Sequence, residues 1–281
     1  MIPKPGSDDF EGRFRNIIAD PLNLLIRRHP LAGMVEEGKV VLHNGNRVPV
    51  DGPLAYYEDF SRIFVLNRGV HEPLEEFSFQ AVLARMPERP VMVELGAYWA
   101  HYSMWMAQVR PQARLFMVEP DADNIAAGRA NFAANGYQGT FRQELVGPEA
   151  FGIDRFMTEV GLTHLDVLHA DIQGAEGQML VDAARALAAR AIDWLVISTH
   201  WRKVHQICED LLTAAGYRIE VSSDFVTHTT SHDGFILASS PAVAPIFLGL
   251  PKPLGREDLA TADPGRLVAM LQALLPAVPA A

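Results

Sequence analysis

Two residues define the chemistry this chain can be read for: Gly96, where one apolar run ends, and Glu119, where the next one ends. The run from Val91 closes on Glu94-Leu95-Gly96. A glycine there lets the backbone turn sharply where a ligand must come close. Glu119, at the end of the following run, can accept hydrogen bonds from both hydroxyls of a ribose. A dinucleotide would need three glycines, so that its pyrophosphate lies on bare backbone at a helix N-terminus. Here Gly96 is followed by Ala97, Tyr98, Trp99, Ala100 and His101. These groups crowd a pyrophosphate but could wall a smaller, cationic ligand without phosphate, so S-adenosylmethionine is favoured over NAD. The plain alternative is a strand, turn and helix of an unrelated α/β protein, since a one-glycine turn is permissive.

The elements that position these residues follow from periodicity and punctuation. Strands are expected at 91–95, 114–118, 140–146, 165–170, 192–199, 217–223 and 233–239, and helices at about 100–109, 121–135, 152–160, 175–190 and 202–215. Such alternation implies a mostly parallel sheet covered on both faces. No helix separates the last two strands, so the final one should run antiparallel. Ahead of this core, residues 10–30 read as a helix interrupted at Pro21, and 39–50 as a hairpin about Asn44-Gly45. Residues 59–85 read as helical, with His71-Glu72-Pro73 at a helix start. The division is therefore a helical and hairpin lid over 1–89, a core over 90–240 and a C-terminal extension over 241–281 ending in one helix at 264–275.

With 281 residues, 49% of them hydrophobic, the chain can bury a substantial core. A formal charge of -10 and the lack of a basic stripe argue against a nucleic-acid partner. No stretch is apolar for the length a bilayer needs, and the N-terminus MIPKPGSDDF has acids and prolines where a secretory signal has an apolar core. The expectation is a cytoplasmic protein with no membrane partner. Cys208 stands alone, which excludes an internal disulfide, and reads as a buried small residue of a helix.

The chain resembles the FkbM-type methyltransferases, a branch of the class I S-adenosylmethionine-dependent enzymes, over roughly residues 70 to 240. The resemblance is carried by VELGAYWAHYS (93–103), VEPD (118–121), NFAANG (131–136), LHADIQGAEGQML (168–180), ISTHW (197–201) and DGFILA (233–238). It implies a doubly wound, Rossmann-like α/β sheet of seven strands with the last strand antiparallel. It also implies methyl transfer to a hydroxyl of a sugar or other natural product. Ala100 stands where many relatives have glycine. On this resemblance Glu119 holds the ribose, and Glu94, Gly96, Ala97, Tyr98, Ser103, Pro120 and Asp171 surround the rest of the cofactor.

In the strand order so implied, the ends of strands 91–95 and 165–170 flank the topological switch point, which turns Asp171 towards the cofactor. The strand ending at Thr199 lies beside the one ending at Ala170, making His200 a neighbour of Asp171. The reversed last strand starts at the same edge and brings His232 and Asp233, while His205 points there from the next helix. An alcohol is a poor nucleophile and calls for a positioned base, a metal, or both. His200 can be the base, with Asp171 beside it. Alternatively Asp171, His200, His205 and Asp233 can hold a divalent metal, a mixed donor set that suits zinc, iron or manganese.

Each has a structural alternative. Asp171 could cap the helix starting near Gly174. His200 could be a cap or core residue, His205 a helix-surface residue, and His228 and His232 loop residues. Glu72 reads slightly better as a first-turn acid than as a ligand contact, Glu176 as a helix-start acid, and Trp99 and His101 as packing groups. The reading favoured is an O-methyltransferase acting on a small hydroxylated acceptor. A non-catalytic S-adenosylmethionine-binding module and an NAD-dependent oxidoreductase are the alternatives. Apolar residues of the N-terminal segment and tail could cover the core or join two chains as a homodimer.

Overall fold

The computed structural model describes residues 10–56, 58–225, 232–253 and 255–278. His228 and most of the loop before Asp233 lie outside them, as do residues 1–9.

A small antiparallel sheet of β1 (Val35–Glu36), β2 (Lys39–Val41) and β3 (Arg47–Pro49) precedes the main sheet. The β2–β3 hairpin turns at Asn44-Gly45 as expected. Gly45 takes φ 95°, and the Asn44 side chain accepts from the Asn46 N–H at 3.0 Å. The N-terminal helix Phe10–Ala19 stops before Pro21, where Asp20 caps a short 3-10 turn through the Leu22 N–H at 2.8 Å.

The main sheet comprises β4 (Val91–Leu95), β5 (Arg114–Val118), β6 (Thr140–Arg142), β7 (Leu165–Ala170), β8 (Ile192–Thr199), β9 (Arg218–Ser223) and β10 (Gly234–Ser239), ordered β6-β5-β4-β7-β8-β10-β9. β4 pairs in parallel with β5 and β7, β5 with β6, and β7 with β8, while β10 runs antiparallel to both its neighbours. This is the seven-stranded Rossmann-like arrangement with a reversed last strand, and its switch point lies between β4 and β7.

Side chains alternate across the sheet, giving two cores. Val93, Leu95, Phe116, Val118, Leu168, Ala170, Leu195, Ile197, Ile236 and Ala238 face one. Met92, Leu115, Met117, Val167, Trp194, Val196, Phe235 and Leu237 face the other, shared with the N-terminal region. On that second face sits the helix Pro73–Leu83, every residue of which is buried.

Two expected elements differ. The strand expected over 140–146 ends at Arg142, and Val146 makes only an isolated bridge with Phe151. The helix expected over 175–190 divides at Ala183 into Glu176–Asp182 and Ala184–Ala188. The Asp154 carboxylate accepts from the Arg185 and Ala186 N–H groups at 2.8 and 2.9 Å, supplying the second segment with its own N-terminal cap. The tail carries one more helix than expected, Arg256–Thr261, before Pro264–Leu274. Cys208 is buried, and burial pushes its thiol up to about 12. No helix among the described residues is long and apolar enough to cross a membrane.

Candidate functional site

A cavity of about 320 Å³ opens at the switch point. Its floor is the turn after β4. Gly96 takes φ 69°, and a Cβ there would collide with the Asp171 carbonyl oxygen, so only glycine lets the ends of β4 and β7 approach. Tyr98 and Ala100 are also left-handed, at φ 43° and 63°, and Ala100 holds by force a conformation that glycine takes freely. The helix His101–Val109 has no cap of its own; Glu94 from β4 accepts from the Tyr102 and Ser103 N–H groups at 3.3 and 3.0 Å.

Of the expected cofactor contacts, Glu94, Gly96, Ala97, Tyr98, Glu119, Pro120 and Asp171 line this cavity. Ser103 does not; it is fully buried, with its N–H on Glu94. Glu119 accepts from Tyr98 N–H at 3.1 Å, Asp121 N–H at 3.0 Å and the Asn124 amide at 3.3 Å. Those donors fix the carboxylate and still leave acceptor positions for a ligand hydroxyl. Leu145, Val146 and Ile172 add apolar walls, and among the described residues no Lys or Arg lines the cavity.

At the β7–β8 edge, Asp171 and His200 are together as expected, with His200 Nε2 3.1 Å from Asp171 Oδ1. Asp171 does not cap the helix; Glu176 does, its Oε1 accepting from Ile172 and Gly174 N–H at 3.3 and 3.0 Å. The same oxygen lies 2.8 Å from His200 Nδ1, and Asp233 Oδ1 is 3.8 Å from Nε2. Burial opposes charge on His200, but hydrogen bonds to Asp171 and Glu176 and the fields of Asp171 and Asp233 outweigh it, raising its pKa to about 10. His200 is therefore an imidazolium at neutral pH, a correction to its reading as the resting base. Burial, offset in part by His200 and reinforced by Asp171, lifts Asp233 to about 7. His205 is not with them. Its ring nitrogens bond Thr199 Oγ1 at 2.8 Å and Ser222 Oγ at 3.0 Å, which reduces the expected ligand set to Asp171, His200 and Asp233. His232 is on the exposed surface. Gly174, at φ 101°, leaves room for the Trp201 indole, with which any Cβ would collide.

The start of helix Pro73–Leu83 supplies what the sequence reading missed. Glu72 lines the cavity, and its Oε2 accepts from Tyr102 Oη at 2.8 Å without capping its own helix, so its first-turn reading is corrected. Burial raises it to about 8, His71 notwithstanding. Glu75 reaches down to the sheet, where its oxygens meet His169 Nε2 at 2.7 Å and Ser198 Oγ at 2.5 Å. Glu76 accepts from the His71 ring at 2.6 Å. Trp99 and His101 pack face to face, their centroids 4.8 Å apart. One signal was present: Leu74, Phe77, Phe79 and Val82 leave this helix no polar face, so its acids had to find partners inside.

No family model matches the chain, and a search of curated proteins returns no match. Among solved structures, a precorrin-6y C5,15-methyltransferase from Geobacter metallireducens overlaps 59% of this chain and 87% of its own, at 14% identity and TM-score 0.43. TrmK of M. capricolum, solved with S-adenosyl-homocysteine, overlaps 70% and 81%, at 12% identity and TM-score 0.43. A ribosomal protein L11 methylase from Lactobacillus delbrueckii overlaps 59% and 77%, at 12% identity and TM-score 0.41. The architecture assigned here rests on the strand order itself.

Proposed function

We propose that the protein is an S-adenosylmethionine-dependent methyltransferase acting on a hydroxyl of a small acceptor. The observation that carries this reading is the cavity at the switch point, lined by Glu72, Glu94, Glu119 and Asp171 and, among the described residues, by no Lys or Arg. Glu119 and Asp171 there suit a sulfonium and an ammonium, while a pyrophosphate finds no lysine or arginine, which speaks against NAD. S-adenosylmethionine, when bound, supplies an electrophilic methyl group on sulfur. Glu119 would accept from its ribose hydroxyls, and the turn 96–100 would follow its backbone-facing side. The acceptor class, a sugar or other natural product, rests on the resemblance to FkbM-type enzymes.

The chain's own contribution is orientation and proton removal. Displacement at a sulfonium carbon requires an in-line oxygen, so the walls from Tyr56, Tyr98 and Trp99 hold the reactants and exclude water. Asp233, with its pKa near 7, is the base this reading assigns to the acceptor hydroxyl, and cationic His200 positions Asp171 and Asp233.

Calorimetric titration with S-adenosylhomocysteine, with NADH as the control ligand, tests the cofactor. Saturable one-site binding of the first and none of the second is expected; no heat and no thermal shift with S-adenosylhomocysteine would sink the reading. With a methyl acceptor in hand, kcat should rise with pH through about 7 as Asp233 ionises. An Asp233→Asn variant should lose that rise together with roughly 10²-fold or more of kcat.

A further inference from the structure

The side chains of His43, Glu76 and His101 converge beside the cavity, which His101 also lines. Each offers one ligand atom, and these atoms all lie within 4.8 Å of one another. His43 Nε2 is 3.1 Å from Glu76 Oε2, and His101 Nε2 is 3.7 Å from Glu76 Oε1. Tetrahedral zinc, with bonds of about 2.0–2.1 Å, sets neighbouring ligand atoms about 3.3 Å apart. The three side chains are 0%, 0% and 3% exposed. Yet both ring nitrogens of His101 and Glu76 Oε2 have no hydrogen-bond partner, and the His43 ring has none beyond an approach to the Arg27 backbone. The His43–Glu76 approach is thus close without hydrogen-bond geometry, and buried polar atoms are seldom left so.

Glu76 is held for such a role. Its Oε1 accepts from the His71 N–H at 3.0 Å, the Glu72 N–H at 3.3 Å and the His71 ring at 2.6 Å, which leaves Oε2 turned to His43. Outer partners of this kind fix a ligating carboxylate. The imidazole planes are fixed too, His101 by stacking on Trp99 and His43 by the edge of Trp105 at 4.4 Å between centroids. His43 also lines a second cavity, of about 330 Å³. The other grouping, His164, Asp166 and Asp193, differs: His164 is exposed and already bonds Asp193 at 3.1 Å.

We propose that His43, Glu76 and His101 bind one divalent transition-metal ion, zinc by their donor set, which ties the lid to the core. Two imidazoles and a carboxylate leave a fourth corner for water. The inference goes beyond methyl transfer.

The test is a titration of the full chain, stripped by chelation and free of S-adenosyl ligands, with Zn²⁺ by calorimetry and with Co²⁺ by visible absorption. Its outcome is therefore independent of the cofactor reading. One equivalent per chain, the absorption of four-coordinate cobalt and a raised Tm are expected. His43→Gln and His101→Gln should each weaken binding at least about tenfold, and His164→Gln should not. Should a variant fail to fold, the imidazole ¹⁵N resonances of the unmodified chain decide: zinc must move those of His43 and His101. Absence of stoichiometric binding, unchanged affinity in both variants, or shifts confined to other histidines would overturn the proposal.

Discussion

The molecule holds two assemblies of acids and histidines, and they differ in who outnumbers whom. Around the helix Pro73–Leu83, Glu75 and Glu76 are shared among His43, His71, His101 and His169, all buried. At the β7–β8 edge one imidazole, His200, faces Asp171, Glu176 and Asp233, with Asp171 33% and Asp233 25% exposed. Burial drives His43 down to about 4, while at the edge the surplus of carboxylates overcomes burial and holds His200 charged. The same residue types thus lower His43 and His101 in one place and hold His200 charged in the other, while His71 and His169, bonded directly to Glu76 and Glu75, are raised. The ratio of partners, more than depth alone, decides.

Four experiments would break or sharpen that contrast. Glu76→Ala should cost the most, about 3–5 kcal/mol in urea unfolding, because it strands the His71 ring and two backbone N–H groups in a closed space. A loss under about 1 kcal/mol would mean the sealed assembly is not a single unit. Glu119→Ala, at the cavity between the two assemblies, should weaken S-adenosylhomocysteine binding roughly thirtyfold, about 2 kcal/mol, as a charged acceptor is removed. Unchanged calorimetric affinity would remove the ribose assignment.

Glu176→Gln addresses the edge directly. The raised pKa of His200 adds stability that is fully present below the ordinary imidazole value near 6.5 and is lost as pH rises through about 10. With one carboxylate removed, the stabilisation should be smaller and exhausted at lower pH, and the His200 ring resonances should titrate below about 10. An unchanged titration would contradict the surplus of carboxylates as the cause. The smallest effect is expected from Ala100→Gly, a gain of about 1 kcal/mol in thermal unfolding, since glycine takes φ 63° without strain.

The strands around the cavity were legible because each is a short apolar run ended by a turn residue. Val91–Leu95 and Arg114–Val118 have the boundaries their periodicity predicts, and Glu119 follows the second as the ribose reading requires. The neighbourhood of Asp171 and His200 needed the strand order, which the resemblance to a known family provided and local pattern does not. The assembly around the helix Pro73–Leu83 was not legible. Glu75 meets partners 94 and 123 residues away, and acids in a first helical turn satisfy a local rule that hides such contacts. Glu176 was seen only as a helix-start acid for the same reason. The break at Ala183 depends on Asp154 from another helix.

Gly174 and Trp201 have a consequence for how this sequence can vary. The indole occupies the space a side chain at 174 would need, and it is itself 55% exposed, so little else confines it. Replacing Trp201 alone uncovers a left-handed glycine, whereas replacing Gly174 alone displaces the indole and strains the backbone that aims Asp171. The two positions are therefore epistatic. In a library randomised at both, substitutions at 174 should survive only beside a smaller residue at 201, while a smaller residue at 201 should be tolerated with Gly174 intact.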